Sequence, residues 1–240
     1  MTTRGSWPND ILTFYDDVTH ERVLAVSPVK FEEDFLGQSI DATIRWTLKD
    51  TAGGSEAVVD DGNGGICVLS LSATDEKQEA GIYAGDMRNW TLNQGLCFEA
   101  RIKPAVLPTD QAEIYFGLAG DYVEGPIAED DAGPAEHIFF CFDGSGVLKI
   151  FTDDTTDDNN GVTTGTTLTA SDWAIVRIDC STITDVKFYV NGSRVATGTT
   201  FDMSTVAALR LQPFFMVHKE TGTGVGTLHI DFVRMWMKRE

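Results

Sequence analysis

The side chains able to do chemistry are thinly spread along this chain. Carboxylates at alternate positions of a strand project into one cleft, where an acid and a nucleophile roughly 5–5.5 Å apart could carry out retaining glycoside hydrolysis. The nearest such pairs are Glu32 with Asp34, and Asp143 beside Gly144 after the run HIFFCF; both read as turn or surface carboxylates. Glu99 and Glu113 each stand alone on the polar face of a strand. The histidines His20, His137, His218 and His229 are isolated; His218 and His229 approach each other only if their strands pair, and a three-ligand metal site still lacks a partner. There is no GxSxG elbow, no HExxH, no CxxC, and no phosphate-binding glycine loop followed by Lys. The expectation is a protein that is not an enzyme, with no catalytic residue, no resident metal and no cofactor.

Two acidic loops, 121–136 and 152–161, hold the densest charge. Their clustered oxygens could bind Ca²⁺, with Asp153, Asp157 and Asn159 the residues to test. Position 158, however, is Asp where an EF-hand needs its turn glycine, and no Glu stands at 164. The other reading is of solvated loops at one rim. Sugar binding near such a rim needs exposed aromatics; Tyr122 and Trp90 are the candidates, and both are equally suited to a core.

The elements that must position these groups are strands. From Phe31 onward, runs of strand length alternate with Gly, Asn, Asp, Ser and Thr clusters. In LCFEARIK, Leu96, Phe98, Ala100 and Ile102 share one face and the polar residues the other; AEIYFGLA places Ile114, Phe116 and Leu118 inward, and WAIVRIDC places Ala174, Val176, Ile178 and Cys180 together. Further strands are expected at 44–48, 65–72, 79–85, 137–142, 146–152 and 209–217. Asn191-Gly192 between two apolar runs predicts a type I′ hairpin. In the last strand the apolar positions change face, which implies a bulge near Phe232 or burial on both sides. Segments 85–92 and 202–209 could each hold one or two helical turns, too short to cross between parallel strands. About a dozen strands with short turns predict an all-β, two-sheet antiparallel β-sandwich of the jelly-roll type over residues 31–240, preceded by an extended N-terminal arm over 1–30.

Composition agrees with that fold and narrows the partners. The chain has 240 residues, 42% of them hydrophobic, which is ample for one core; 18 Lys and Arg against 37 Asp and Glu give a formal charge of −19. Such a field repels phosphate backbones and anionic lipid, so neither nucleic acid nor membrane is an expected partner. The first residues show no basic stretch leading into an apolar run, so a cytoplasmic origin without a secretory signal is expected. Cys67, Cys97, Cys141 and Cys180 lie inside apolar or alternating runs; their even number allows two disulfides, and without a signal they read rather as buried free thiols.

Three stretches carry a family resemblance. KFEEDFLGQSIDATIRWTL resembles the opening of concanavalin A-like lectin/glucanase domains, the group that includes laminin-G-like modules. SDWAIVRIDCSTITDVKFYVNGSRVATGTTF is similar to their central tryptophan-led strand and hairpin, and GTLHIDFVRMWMKRE to their closing strand. The resemblance implies a concanavalin A-like jelly roll. Glucanases of the family carry catalytic carboxylates in a pattern near E-x-D-x-x-E, and no such triplet occurs here. Domains of this kind are frequent in tailed-phage virion proteins. The resemblance implies a tailed-phage virion setting; together with the arm, the absence of a signal and of a catalytic constellation, and the acidic charge, the expectation is a non-catalytic capsid decoration or cement protein that binds capsid proteins and copies of itself, as a trimer that would bury the arm. The alternative is a glycan-binding or receptor-binding lectin-like tail component.

Overall fold

The computed structural model describes residues 3–6, 13–16, 22–24, 29–59, 64–124, 133–142, 144–156, 158–205 and 209–239. Among them there is no α-helix, and the one helical element is a 3-10 turn at Leu92–Gln94 that ends on Gly95 in the left-handed region. Three short strands, β1 (Thr3–Ser6), β2 (Thr13–Asp16) and β3 (Arg22–Leu24), form an antiparallel sheet of their own, so the segment expected as an extended arm contains a small meander.

The remaining strands build two eight-stranded sheets. Sheet one contains β4 (Val29–Glu33), β6 (Gly54–Val58), β7 (Cys67–Leu71), β10 (Cys97–Val106), β15 (Ala174–Asp179), β16 (Lys187–Val190), β17 (Ser193–Val195) and β19 (Thr227–Met237). Its order is β17-β16-β15-β10-β19-β7-β6, with β4 also on β19. Sheet two contains β5 (Thr47–Thr51), β8 (Gln78–Tyr83), β9 (Trp90–Thr91), β11 (Ala112–Ala119), β12 (Glu136–Phe142), β13 (Val147–Asp154), β14 (Asp158–Thr167) and β18 (Arg210–Lys219). Its order is β14-β13-β12-β11-β18-β8-β5, with β9 on β18. Because β4 pairs with β19, sheet one begins at Val29, ahead of the boundary expected at residue 31.

Between the sheets lies one apolar core supplied by alternate residues, including the inward sets expected for β10, β11 and β15. Its centre is aromatic: Phe116 stacks on Phe140 at 5.7 Å, and Phe215 lies 5.9 Å from Phe98. Each buried Phe contributes about 1.5–3 kcal/mol relative to exposure. All four cysteines are buried free thiols within this framework.

The face change in β19 is a bulge. Phe232 pairs with Arg101 and Ile230 with Ile102, so Asp231 is the extra residue. Leu228 and Ile230 therefore point into the core before it, and Val233, Met235 and Met237 after it. The bulge is also a joint, since β7 pairs with residues 227–230 and β4 with residues 233–237 on the same edge of β19. Where these two partners meet, Gly65 has φ +76 and its position for a Cβ lies 2.4 Å from the carbonyl oxygens of both Asp34 and Phe35.

Several elements differ from the sequence reading. The strand expected at 44–48 begins at Thr47, because Asp41 accepts the amides of Thr43 and Ile44 and holds 42–45 in a turn. Residues 158–161, read as part of a solvated loop, belong to the edge strand β14 (Asp158–Thr167); polar Asn and Thr residues suit an edge that faces water on one side. Segment 85–92 holds a turn at 85–86 and the short β9, and ends where the 3-10 turn Leu92–Gln94 begins; segment 202–205 is not helical, while 206–208 lie outside the described residues.

Candidate functional site

The outward side of sheet two is the part of the surface where reactive and aromatic groups converge. Alternation places Glu79 and Tyr83 of β8, Phe214, Met216 and His218 of β18, Glu113 and Tyr115 of β11, His137 and Phe139 of β12, and Phe151 of β13 on this side. Tyr83, Tyr115, Phe139, Phe151, Phe214 and Met216 form a second apolar cluster, separate from the core between the sheets. The central strands of sheet two are thus buried on both faces, while its edge strands β14 and β5 are partly exposed.

Tyr122 closes part of this surface. It lies just after the end of β11, stacks on Tyr83 with ring centroids 5.0 Å apart and planes at 23°, and packs 6.4 Å from Phe214. Its hydroxyl donates to Glu79 Oε1, and the Lys49 ammonium sits 4.7 Å from its ring. Burial pushes the Glu79 carboxyl up to about 7, against the hydrogen bond from Tyr122, which favours the ionised form. Burial also raises the Tyr122 phenol, and its bond to Glu79 adds to that.

A titratable row crosses the strands beneath it. Thr51 pairs with Glu79, Glu79 with His218, and His218 with Glu113. Directly opposed residues share a face, with Cβ atoms about 4.5–5.5 Å apart. His218 is 1% exposed, and burial pushes its imidazole down to about 4 although Glu220 Oε2 lies 3.5 Å from Nε2. Near neutral pH it is therefore uncharged. At the mouth, Lys77 bridges Glu124 at 3.3 Å and Glu220 at 3.5 Å.

The acid chemistry expected of paired carboxylates is not assembled here. On β11 the outward residues before Gly117 are Glu113, whose Oε2 accepts the Tyr115 hydroxyl, and Tyr115 itself. At Gly117 a Cβ would lie 2.3 Å from the Ile138 carbonyl oxygen and 3.1 Å from Ile178, so no side chain can stand there. Glu99 is on the outward side of sheet one, buried between Arg177 and Arg234 on the flanking strands. Glu32 binds Lys30 at 2.9 Å, and Glu33 takes the Phe35 amide and the Arg45 guanidinium. Glu32, Glu33 and Arg45, with Asp34 and Asp41, line a surface pocket of about 470 Å³. Asp143 lies outside the described residues.

Of the candidate Ca²⁺ residues, the two that are described do not converge. Asp153 pairs with Asp158 and Thr152 with Asn159, so Asp153 and Asn159 project to opposite faces of the β13–β14 hairpin. Asp153 accepts the Thr155 amide at 2.6 Å, and Asn159 donates to Thr152 at 3.1 Å. Asp157 lies outside the described residues. Among the described residues, no group of three or more His, Cys, Asp or Glu is arranged to hold a metal ion.

The histidines and aromatics also separate. His218 and His229 sit on strands of different sheets, so their side chains do not meet; His229 lies 6.3 Å from Trp173, whose ring also faces Arg101 at 4.6 Å. His137 stacks on Phe139 and its Nδ1 meets the Pro134 carbonyl at 2.9 Å. His20 lies outside the described residues. Trp90 is core, whereas Tyr122 is half-buried at the surface. The sequence reading did not find Glu79 or its row with His218. The available signal was a Glu inside an apolar strand, EAGIY, but strand pairing alone supplies its neighbours.

Comparisons with known proteins agree on architecture. The carbohydrate recognition domain of Emp47p matches with TM-score 0.57 at 8% identity, covering 88% of this chain and 95% of its own. A Bacteroides ovatus mixed-linkage glucan GH16 enzyme matches with TM-score 0.56 at 12% identity, covering 85% and 99%. A carbohydrate esterase of the Shiga toxin-encoding bacteriophage phi24B matches with TM-score 0.50 at 15% identity, covering 89% and 99%. At these identities the likeness is one of fold. No curated protein matches the sequence. Residues 76–238 match the model of a family in the concanavalin A-like lectin/glucanases superfamily. With two antiparallel sheets in the order described and a family match over most of its length, the chain belongs to the concanavalin A-like lectin/glucanase superfamily.

Proposed function

We propose that this chain is a non-catalytic structural protein of a virus particle, a capsid decoration protein of a tailed phage. The observation that carries the non-catalytic part is on β11, where Glu113 is held by Tyr115 and position 117 admits no side chain. A retaining pair of carboxylates cannot be built along that strand. The virion setting draws on the opening sequence around DFLGQSI, on the N-terminal segment outside the sandwich, and on a strong negative charge suited to repeated display. In this reading residues 1–30 and one face of the sandwich bind capsid proteins, and the chain assembles as a trimer at a local three-fold axis.

Quantitative mass spectrometry of purified particles, calibrated to the major capsid protein, tests it. Hundreds of copies per particle are expected; absence from particles would overturn it. Deletion of residues 1–28, which leaves β4 whole, should abolish attachment.

A second reading, glycan recognition by the outward side of sheet two, is favoured by the aromatic layer and the Glu79–Tyr122 arrangement. The lectin domain and the two carbohydrate-active enzymes above share the fold. A glycan array probed with the full chain tests this reading, and no retained glycan would remove it.

A further inference from the structure

Four buried polar atoms of three residues on adjacent strands lack hydrogen-bond partners: Thr51 Oγ1, Glu79 Oε2 and both ring nitrogens of His218, of which Nε2 lies 3.5 Å from Glu220 Oε2. Their strand register puts them in one row on the outward side of sheet two. Glu79 and His218 are 0% and 1% exposed. Native interiors rarely leave such groups unsatisfied, because each has given up water for nothing. Groups of this kind, gathered in one row, are ones that a ligand's hydroxyl groups would satisfy.

The ring above this row behaves as a substitute ligand. Tyr122 presents a flat six-membered ring to Tyr83 at 5.0 Å and a hydroxyl to Glu79, and it is reached by the Lys49 ammonium at 4.7 Å. It satisfies one oxygen of Glu79 and leaves the other, with Thr51 Oγ1 and His218 Nδ1, unmatched. Tyr122 belongs to the chain just outside the end of β11 rather than to a strand, so it can leave without breaking a ladder.

We propose that Tyr122 is an intramolecular occupant of a binding site for one neutral sugar ring. When Tyr122 swings out, the ring's C–H face stacks on Tyr83 and Phe214, and its hydroxyls are shared among Glu79, His218 and Thr51. An anionic sugar is disfavoured because Glu79, Glu113, Glu124 and Glu220 outnumber Lys49 and Lys77 around the site, which leaves the neutral class as the one proposed. The identity of the ligand rests on the glycan-binding reading; the position of the site and the role of Tyr122 do not.

The test is an array of neutral and sialylated oligosaccharides probed with the wild-type chain, Tyr122→Phe, Tyr122→Ala and the double variant Tyr122→Phe/Glu79→Ala, followed by calorimetry on the best neutral binder. Tyr122→Phe removes only the hydroxyl latch, and a melting curve of each variant checks that it folds. It should bind a neutral glycan roughly tenfold more tightly than wild type, since the closed form no longer competes as strongly. The double variant should lose that gain. A glycan bound equally by all four chains would overturn the site while leaving glycan binding intact. Binding by none would overturn both, and preference for sialylated probes would overturn the neutral class.

Discussion

Replacing Glu79 or His218 singly should expose two opposite pH dependences that cancel in the native protein. Glu79 is held at about 7 in the folded chain against an ordinary 4.5. Its proton is therefore bound more tightly when folded, so it costs nothing at low pH and destabilises progressively as pH rises from 4.5 to about 7. His218 is held at about 4 against 6.5, so the folded protein resists its protonation. Its contribution is complete above 6.5 and is lost as pH falls toward about 4. At 1.36 kcal/mol per tenfold, each gap amounts to roughly 3 kcal/mol, and solvent reaching the edge of the site reduces this to about 2–3. The charged groups facing the pair are Glu113 across β11, Lys77, Glu124 and Glu220 at the mouth, and Lys49 above Tyr122. Between them the two residues make folding nearly proton-neutral from about pH 4.5 to about pH 6.5.

Urea unfolding of wild type, Glu79→Gln and His218→Gln at several pH values in that range checks this. Relative to wild type, Glu79→Gln should gain about 2–3 kcal/mol as pH rises across the window. His218→Gln should gain a similar amount, about 2–3 kcal/mol, as pH falls across it. Differences from wild type that stay constant with pH would refute the reasoning, because they would show that neither group is shifted by its burial.

Three further outcomes are expected. Gly65→Ala should cost about 3 kcal/mol by chemical denaturation, since the left-handed backbone disfavours Ala and the added methyl meets the Asp34 and Phe35 carbonyls at 2.4 Å. Lys219→Met should cost about 3 kcal/mol or more, measured the same way: the buried ammonium donates to the carbonyls of Ser72, Thr74 and Gly224 at 2.8, 2.7 and 2.9 Å, and Met leaves all three without a donor. Native protein should show almost no reaction of its cysteines with a thiol reagent at neutral pH, and full reaction in urea, because all four are buried and burial raises the Cys67 and Cys180 thiols.

The strands that the sequence revealed best were those with one wet face. In β10 and β15 the polar residues mark the outside by themselves, and the observed inward sets are the expected ones. Asn191-Gly192 likewise carries its turn chemistry locally; both residues have positive φ, and Val190 pairs with Ser193 across the hairpin. The edge strand β14 was hidden because Thr, Asn and Gly also make loops, and only its ladder with β13 turns them into a strand. Trp90 could not be placed as core or surface from its neighbours in sequence; its strand is two residues long and is defined by β18.

The candidate site divides in the same way. Tyr122 was identifiable as an aromatic beside an acidic loop. Glu79 and His218 were not identifiable as a pair, being 139 positions apart in the sequence until β8 and β18 align them. By itself the sequence determined the all-β class, the inward faces, the hairpin turn and the absence of a carboxylate triplet, because alternation and turn geometry act over two to four residues. Only the tertiary structure decided that Asp231 is the bulge, that Asp153 and Asn159 face apart, and that a buried carboxyl and imidazole share a row under Tyr122. Those outcomes depend on register between strands distant in the chain, and register is set by how the two faces of each sheet are buried.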